Sequence, residues 1–345
     1  MKAAHIYGFG DPSVFKIEET NTPEVAPGHV LIKIMAAGIN RLEHYIRNGD
    51  FLKEEDMKFP HILGADASGI IDAVAADVSN FKVGDKVIPM TGYPVDPSDY
   101  DISPATAAPS FQVRGVHSNG TYTQYMIAPA RWVVKDPTDL PHEQAATLPM
   151  VLLTAVRAAK VMGEVKDGDV VLVQAGASGT GSMMVQVAKA LGARVLTTVR
   201  SPEKIDFVKS LGATRVIDTG KEDFLDIARK ETGGKGVDVV LDGLGGDIFT
   251  RGIAALRSGG IIVTYGFVTG AEAKFNLIEL FFTSKQIRGA IAGNLEDLTW
   301  GLDQVKLGRV KPLLHKAFPL SQVSEAHRLV AENKVQGNLA LLPWA

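Results

Sequence analysis

In the stretch QAGASGTG, residues 174–181, Gly176, Gly179 and Gly181 alternate with the small side chains Ser178 and Thr180, between an apolar run and a helical pattern. Small residues at such a turn let the backbone approach a pyrophosphate. The following helix N-terminus offers unpaired N–H groups and partial positive charge. The order is G-x-x-G-x-G rather than G-x-G-x-x-G, so the dinucleotide reading rests on context: the loop opens a strand–helix–strand unit. The second strand selects the dinucleotide. An NAD-preferring site carries an acid at that strand's end, about 20 residues past the loop, for the ribose 2′-hydroxyl. Here the strand ends TTVRSPEK, with Arg200, Ser201 and Lys204 and no acid before Glu203. A guanidinium grips a phosphate bidentately, so the pattern predicts NADPH, held by its 2′-phosphate. An exposed basic helix start is the plain alternative.

The elements that must position this loop are visible as alternation. From about residue 143 a helical stretch broken at Pro149 leads into strands at 170–174, 194–199, 214–218, 237–243 and 260–267. Helices at 181–191, 202–211, 224–230 and 249–256 separate them. Such βαβα order predicts an α/β fold with a doubly wound parallel sheet. Ser201 precedes Pro202 as a helix cap, and Gly192, Gly212 and Gly233 stand where left-handed C-caps belong. Before residue 90 the pattern is different: short β-rich runs at 29–39, 67–74 and 82–90, punctuated by Pro27-Gly28 and Gly84-Asp85. That is the pattern of an antiparallel β domain. Residues 91–119, with Pro94, Pro97, Pro104 and Pro109, keep no steady period and read as a long loop, either functional or a plain surface excursion.

Composition narrows the chemistry. A chain of 345 residues is long enough for two domains, and a net charge of -3 leaves no basic surplus for nucleic acid. With no cysteine, disulfides, thiolate nucleophiles and cysteine-ligated metals are excluded. The eight histidines are scattered without an H-x-x-x-H pair, and His61 reads as a packed or solvated residue. The N-terminus has no apolar signal core and no run is long enough to span a bilayer, which predicts a cytoplasmic protein with no membrane partner.

With these residues in view the chain resembles the medium-chain dehydrogenase/reductase superfamily over essentially its full length. It is most similar to the zinc-independent group that includes NADPH:quinone oxidoreductases. The resemblance is carried by AAGINRLEHYIRNG (36–49), LGADASGIIDAV (63–74), FKVGDKV (81–87), GTYTQYMIAPA (120–130) and AATLPMVLLTA (145–155). GASGTG, VLDGLGG (240–246) and VQGNLALLP (335–343) complete it. It implies a GroES-like β domain over 1–130, a Rossmann NADP-binding domain over 131–295 and a return to the first domain over 296–345. Substrate would bind in the cleft between them. It also implies a homodimer joined sheet edge to sheet edge through QIRGAIAG (286–293).

In the zinc-dependent branch the first cysteine ligand would fall at Asn40, and the Gly-His-Glu motif reads here Gly64-Ala65-Asp66. Neither Asn40 nor Ala65 is a zinc ligand, so no metal is expected, and residues 91–119 replace the structural-zinc lobe as a metal-free lobe or a lid. Without a Lewis acid the favoured acceptor is one that takes hydride readily, a quinone or the β-carbon of an enone. By matching positions, Asn40 and Tyr45 are the donors to the substrate oxygen, and Tyr45 or water delivers the proton. Packing for Tyr45 and a turn or cap role for Asn40 are the alternatives. Glu43 stands where the resembling reductases often carry Asp, and Arg41 where they often carry Pro. Cofactor contacts are implied for Thr154 (unless its hydroxyl bonds its own backbone), Asp242, Gly243, Gly266, Phe267 and, where the family often has Lys, Asn338. A zinc-independent alcohol dehydrogenase or carbonyl reductase is the alternative activity, and a non-catalytic protein that keeps the fold a third reading.

Overall fold

The computed structural model describes all residues, Met1–Ala345. It divides into two units: Met1–Met150 with Asn294–Lys306 and Pro312–Ala345, and Val151–Gly293 with Leu307–Lys311. The sequence reading sets the first change of domain near residue 131. The structure keeps 131–150 with the first unit, because strand Val133–Lys135 pairs antiparallel with Lys86–Pro89.

The first unit is built on the eleven-residue strand His29–Ile39, in which all but three residues are buried. Its length lets it pair with three strands: Ala67–Val74, Tyr125–Pro129 and Asn338–Leu342, all antiparallel. Lys86–Pro89 and Val133–Lys135 extend one side, and Leu314–Pro319 extends the other as the one parallel neighbour in this seven-stranded sheet. A smaller sheet joins Lys16–Glu19, Lys2–Ile6 and His61–Ile62. The buried apolar side chains of these strands and their flanking segments, among them Ile32, Ile34, Ile71, Tyr122, Phe318 and Leu341, form one core. Gly28 and Gly84, at φ +73° and +91°, take the turns expected of them.

Residues 91–119 are more structured than their sequence suggests. Gly92–Pro94 and Phe111–Val113 form a short antiparallel ladder, and 3-10 turns occupy Pro97–Asp99 and Ala105–Ala107. Tyr93 stacks on Trp132 with ring centroids 6.0 Å apart. Three-residue strands are too short to show a period.

The second unit is a six-stranded parallel sheet. Its order is Arg215–Asp218, Arg194–Val199, Val170–Val173, Val237–Asp242, Leu256–Thr264, Gln286–Gly289. Helices Gly179–Ala190, Ile205–Ser210, Phe224–Glu231 and Gly246–Ala255 connect successive strands. Gly192, Gly212 and Gly233 take positive φ after their helices, as read from the sequence. Ser201 sits at a cap position, but its side chain makes no capping bond. The turn it precedes, Pro202–Lys204, is 3-10, and the α-helix begins only at Ile205. The fifth strand starts at Leu256 rather than 260, because Leu256 already pairs with Val237. Pro149 begins a new helix, Pro149–Val156, which widens into a π turn over Arg157–Met162. No helix is long and apolar enough to cross a membrane.

One glycine in the long strand is required by packing alone. A Cβ on Gly38 would run into the Ala146 carbonyl oxygen and come within 2.9 Å of the Asp66 Cβ. At Gly84 the same atom would meet nothing within 4 Å. Gly38→Ala is therefore expected to cost about 1–3 kcal/mol through overpacking. Gly84→Ala should cost about 1–2 kcal/mol through left-handed strain alone. Urea unfolding of both variants checks the pair; the Gly38 variant should also lose activity, and the Gly84 variant should keep it.

Candidate active site

The nucleotide loop is shaped by contacts to the neighbouring strand. After Val170–Val173 the chain turns through Ala175, whose φ is +55°. The Ala175 N–H donates to Thr198 Oγ1 at 2.9 Å and the Gly176 N–H to the Thr198 carbonyl at 3.0 Å. A Cβ on Gly176 would strike the Thr197 hydroxyl. Ser178 caps helix Gly179–Ala190 by accepting from the Gly181 N–H at 3.0 Å, and a Cβ on Gly181 would strike the Ala175 carbonyl. Gly179 and Thr180 are half-buried at the helix start. The glycines thus fold the loop back on its own strand and leave the first turn of a twelve-residue helix open.

This strand is also where the sheet order reverses, since it lies between Arg194–Val199 and Val237–Asp242. Ligands of open parallel sheets bind at such a point. Two buried polar atoms wait there without a protein partner: Gln174 Nε2 and Asp242 Oδ1. The register sets them on neighbouring strand ends, because Val173 is paired with Leu241. Asp242 Oδ2 accepts from the Gly245 N–H at 2.8 Å, and burial pushes the carboxyl up to about 6. A buried orphan donor and acceptor are costly unless a ligand or water satisfies them. Gln174 was missed from sequence; its only signal is a polar residue ending an all-apolar strand.

The remaining residues of the second unit fall around the same strand ends. Arg200 is exposed directly after Val199, Ser201 and Lys204 are half-buried, and Arg200 and Lys204 form no ion pair. Asp218, on the adjacent strand end, accepts from the Gly220 N–H at 3.1 Å. Gly243 and Gly266 are packed so closely that a Cβ on Gly266 would lie 2.7 Å from the Gly243 carbonyl. Phe267 is exposed beyond the end of strand Leu256–Thr264. Thr154 is buried in helix Pro149–Val156, and its hydroxyl does not bond back to the helix as those of Thr232 and Thr299 do. That leaves it free for another partner.

In the first unit the site is a cluster of buried acids around Asn40. Asn40 ends strand His29–Ile39 and caps helix Arg41–Asn48 in a capping box with Glu43. Its N–H donates to Glu43 Oε2 at 2.8 Å, and the other Glu43 oxygen accepts from the Ala65 N–H at 3.0 Å. The Asn40 side-chain Nδ2 donates to Asp66 Oδ2 at 3.0 Å, and Asp66 Oδ1 accepts from the Met150 N–H at 2.9 Å. Both carboxyl groups are about 1% exposed and neither has a cation partner. Burial pushes Glu43 up to about 7. Burial likewise lifts Asp66 well above the usual carboxylate range; the Glu43 charge adds to this, against the Asn40 hydrogen bond.

Behind the cluster, Tyr122 Oη and His327 Nε2 are 3.2 Å apart and both residues are buried. Arg47, also buried, donates through Nε to the Gly10 carbonyl at 3.1 Å and through Nη2 to His44 Nδ1 at 3.3 Å. Tyr45 is half-buried in the middle of its helix, its ring 5.7 Å from that of His44. Asn338 has committed its amide Nδ2 to the Thr147 carbonyl at 3.0 Å, a structural bond within the first unit. His61 is packed, with Nε2 3.1 Å from the Gly115 carbonyl. The donor set does not fit a catalytic zinc: Ala65 offers a methyl, the Asn40 nitrogen already donates, and the chain has no cysteine.

Comparison with known proteins agrees with both units. Residues 26–141 match the alcohol dehydrogenase GroES-like domain, and residues 179–306 match the zinc-binding dehydrogenase family. A 2-haloacrylate reductase of Burkholderia sp is 30% identical, with 100% of each chain covered. The quinone oxidoreductase of Homo sapiens is 27% identical over 98% of this chain and 95% of its own. Among solved structures, an NAD-dependent alcohol dehydrogenase superposes with a TM-score of 0.90 at 32% identity, covering 99% of both chains. The chain belongs to the medium-chain dehydrogenase/reductase superfamily, in its zinc-independent, quinone oxidoreductase-like group.

Proposed function

We propose that the protein is a cytoplasmic, NADPH-dependent reductase that delivers hydride, without a metal, to a quinone or an α,β-unsaturated carbonyl compound. The observation that carries this reading is the Asn40 cluster: amide and carboxyl groups stand where the zinc branch needs ligands. The glycine loop, Gln174 and Asp242 would hold the dinucleotide, and Arg200, Ser201 and Lys204 would take its 2′-phosphate. Thr154, Gly243, Gly266 and Phe267 would serve its nicotinamide end. Bound there, it supplies the hydride. Asn40 and Tyr45 then donate hydrogen bonds to the substrate oxygen as negative charge develops on it, and Tyr45 or water returns a proton. Burial raises the pKa of both Glu43 and Asp66, and the Glu43 charge raises Asp66 further, which disfavours a second buried negative charge beside that oxygen. The names of the 2-haloacrylate reductase and the quinone oxidoreductase support the acceptor class. The similarity to a solved NAD-dependent alcohol dehydrogenase favours a second reading, a zinc-independent alcohol dehydrogenase or carbonyl reductase.

The protomers of the proposed homodimer would join through Gln286–Gly289, the edge strand of the six-stranded sheet. The helix just before it, Leu277–Phe282, exposes Leu277, Ile278, Phe281 and Phe282. An apolar patch beside a bare strand edge is poorly suited to water.

Following NADPH oxidation with 1,4-benzoquinone, an enone and a simple ketone separates the activities. Turnover of the first two, unaffected by chelator, is expected; turnover of the ketone alone would favour the second reading. Arg200→Ala should raise KM for NADPH by about 10-fold or more, the loss of one charge-assisted contact, with KM for NADH changed by less than about 2-fold. In sedimentation velocity the wild type should run as a dimer, and Phe282→Glu should shift it toward monomer. The buried acids make stability depend on pH. Because the folded-state value of Glu43 is raised, its contribution is full below the unfolded value of about 4.3 and is lost as pH rises through about 7. Urea midpoints should fall over that window, and Glu43→Gln should make the fall shallower, with the Asp66 contribution remaining.

A further inference from the structure

Leu277–Phe282 is a helix of six residues, five of them apolar, and none is buried. Leu277, Ile278, Phe281 and Phe282 are between 61% and 77% exposed, and Phe275 just before them is 41% exposed. An isolated helix this short is marginal in water, and one that is apolar all round belongs in an interior. At about 150–200 Å² per large side chain, these five leave roughly 500 Å² of apolar surface in the open, at the upper end of what a monomer shows. Strand Gln286–Gly289, which follows, adds a bare backbone edge. Such an edge is completed by another strand, which a lipid surface does not supply. Helix and edge together approach the about 800 Å² that each partner gives to a standard interface. A second copy of the chain carries the matching edge and helix, and two-fold symmetry would set like against like.

The helix also ends a strap that starts at the C-terminal ends of the parallel strands. Beyond Gly266, the Val268 N–H donates to the Gly243 carbonyl at 3.4 Å and the Thr269 N–H to the Leu244 carbonyl at 2.7 Å. Farther on, the Thr250 hydroxyl donates to the Lys274 carbonyl at 2.8 Å, and the Gly259 N–H donates to the Thr283 carbonyl at 2.8 Å. Residues 271–279 are nevertheless exposed without a break. The strap is tied at its ends and has little packing of its own between them. We propose that Phe275 and helix Leu277–Phe282 dock on a second copy of the chain, and that this contact steadies the strap and the Gly243–Gly266 end of the site, so that the dimer is the form that transfers hydride. This rests on the reading that the nicotinamide lies at that end. The single protomer keeps the glycine loop and Arg200, which stand on other strands, and so still binds the dinucleotide.

The test compares wild type, Phe282→Leu and Phe282→Glu by sedimentation velocity, NADPH titration and turnover of benzoquinone. Phe282→Leu should remain a dimer with wild-type activity. Phe282→Glu should run as a monomer, with Kd for NADPH within about 2-fold and kcat lower by about 10-fold or more, the cost of a misplaced reacting group. Diluted wild type should lose specific activity in step with its dimer fraction, a result that depends on no variant folding. Backbone hydrogen exchange, recorded without substrate, should be slow over 267–283 in the dimer and faster in the Phe282→Glu monomer, with 176–190 unchanged. That pattern supports the steadied strap even where no acceptor is reduced, in which case the functional reading alone fails. A monomeric Phe282→Glu enzyme with wild-type kcat overturns the coupling, as does unchanged exchange over 267–270. A Phe282→Glu protein that stays dimeric, or a wild type that is monomeric at every concentration, overturns the docking. Flotation of that monomer with phosphatidylcholine vesicles would assign the patch to a lipid surface instead.

Discussion

Two carboxyl groups buried without a cation are the constraint around which the first unit is arranged. Removing such groups from water is expensive unless each oxygen finds a donor. Here the donors are the Asn40 N–H and Nδ2, the Ala65 N–H and the Met150 N–H. They come from the end of the long strand, the loop before Ala67–Val74, and the start of helix Pro149–Val156. Satisfying Glu43 and Asp66 therefore draws three separate stretches of chain to one point. The glycines near that point follow from it. Gly38 lacks a side chain because the Asp66 segment and the Ala146 carbonyl close onto the strand there. Gly64, at φ +103°, turns the chain into Ala65 and Asp66 with Thr121 and Tyr122 pressed against it.

The second unit solves a complementary problem. Its strands are apolar on both faces and its polar groups gather at their C-terminal ends, where Gln174 and Asp242 keep one atom each without a partner. In the first unit every oxygen of the acid pair is satisfied from within; in the second the orphan atoms lie beside an open helix N-terminus. The contrast is between acids whose oxygens are all satisfied from within the protein and strand ends that keep orphan polar atoms.

What the sequence could disclose follows from distance along the chain. The parallel sheet, the glycine loop and the C-capping glycines are local patterns, written in strand–helix alternation and in residues needing positive φ. Asn40 and Tyr45 were reached by motif position. The acid pair was not legible as a pair: Asn40 and Asp66 are 26 residues apart, and Asp66 and Met150 are 84 apart. Glu43 entered only as a departure from a familiar pattern, and Asp66 only as part of a motif unsuited to zinc. The hairpin inside 91–119 and the missing Ser201 cap failed for a different reason. Three-residue strands carry no period, and a serine before proline has the composition of a cap whether or not the first turn is α-helical.

Burial raises the pKa of both acids, and no cation is paired with either to oppose it. Arg47 donates to the Gly10 carbonyl, to His44 and to Asn48, all neutral acceptors, and forms no ion pair with Glu43 or Asp66. Tyr122 feels both charges: its hydroxyl is pushed up by burial and then by Glu43 and Asp66, while Arg47 pulls the other way. His327, which shares a hydrogen bond with that hydroxyl, is held neutral by burial, with Arg47 and His44 adding to the effect. Had the guanidinium closed on Glu43, the carboxylate would be locked in its charged form and its pKa driven down. Keeping the cation on carbonyl, imidazole and amide leaves the acid pair its raised pKa.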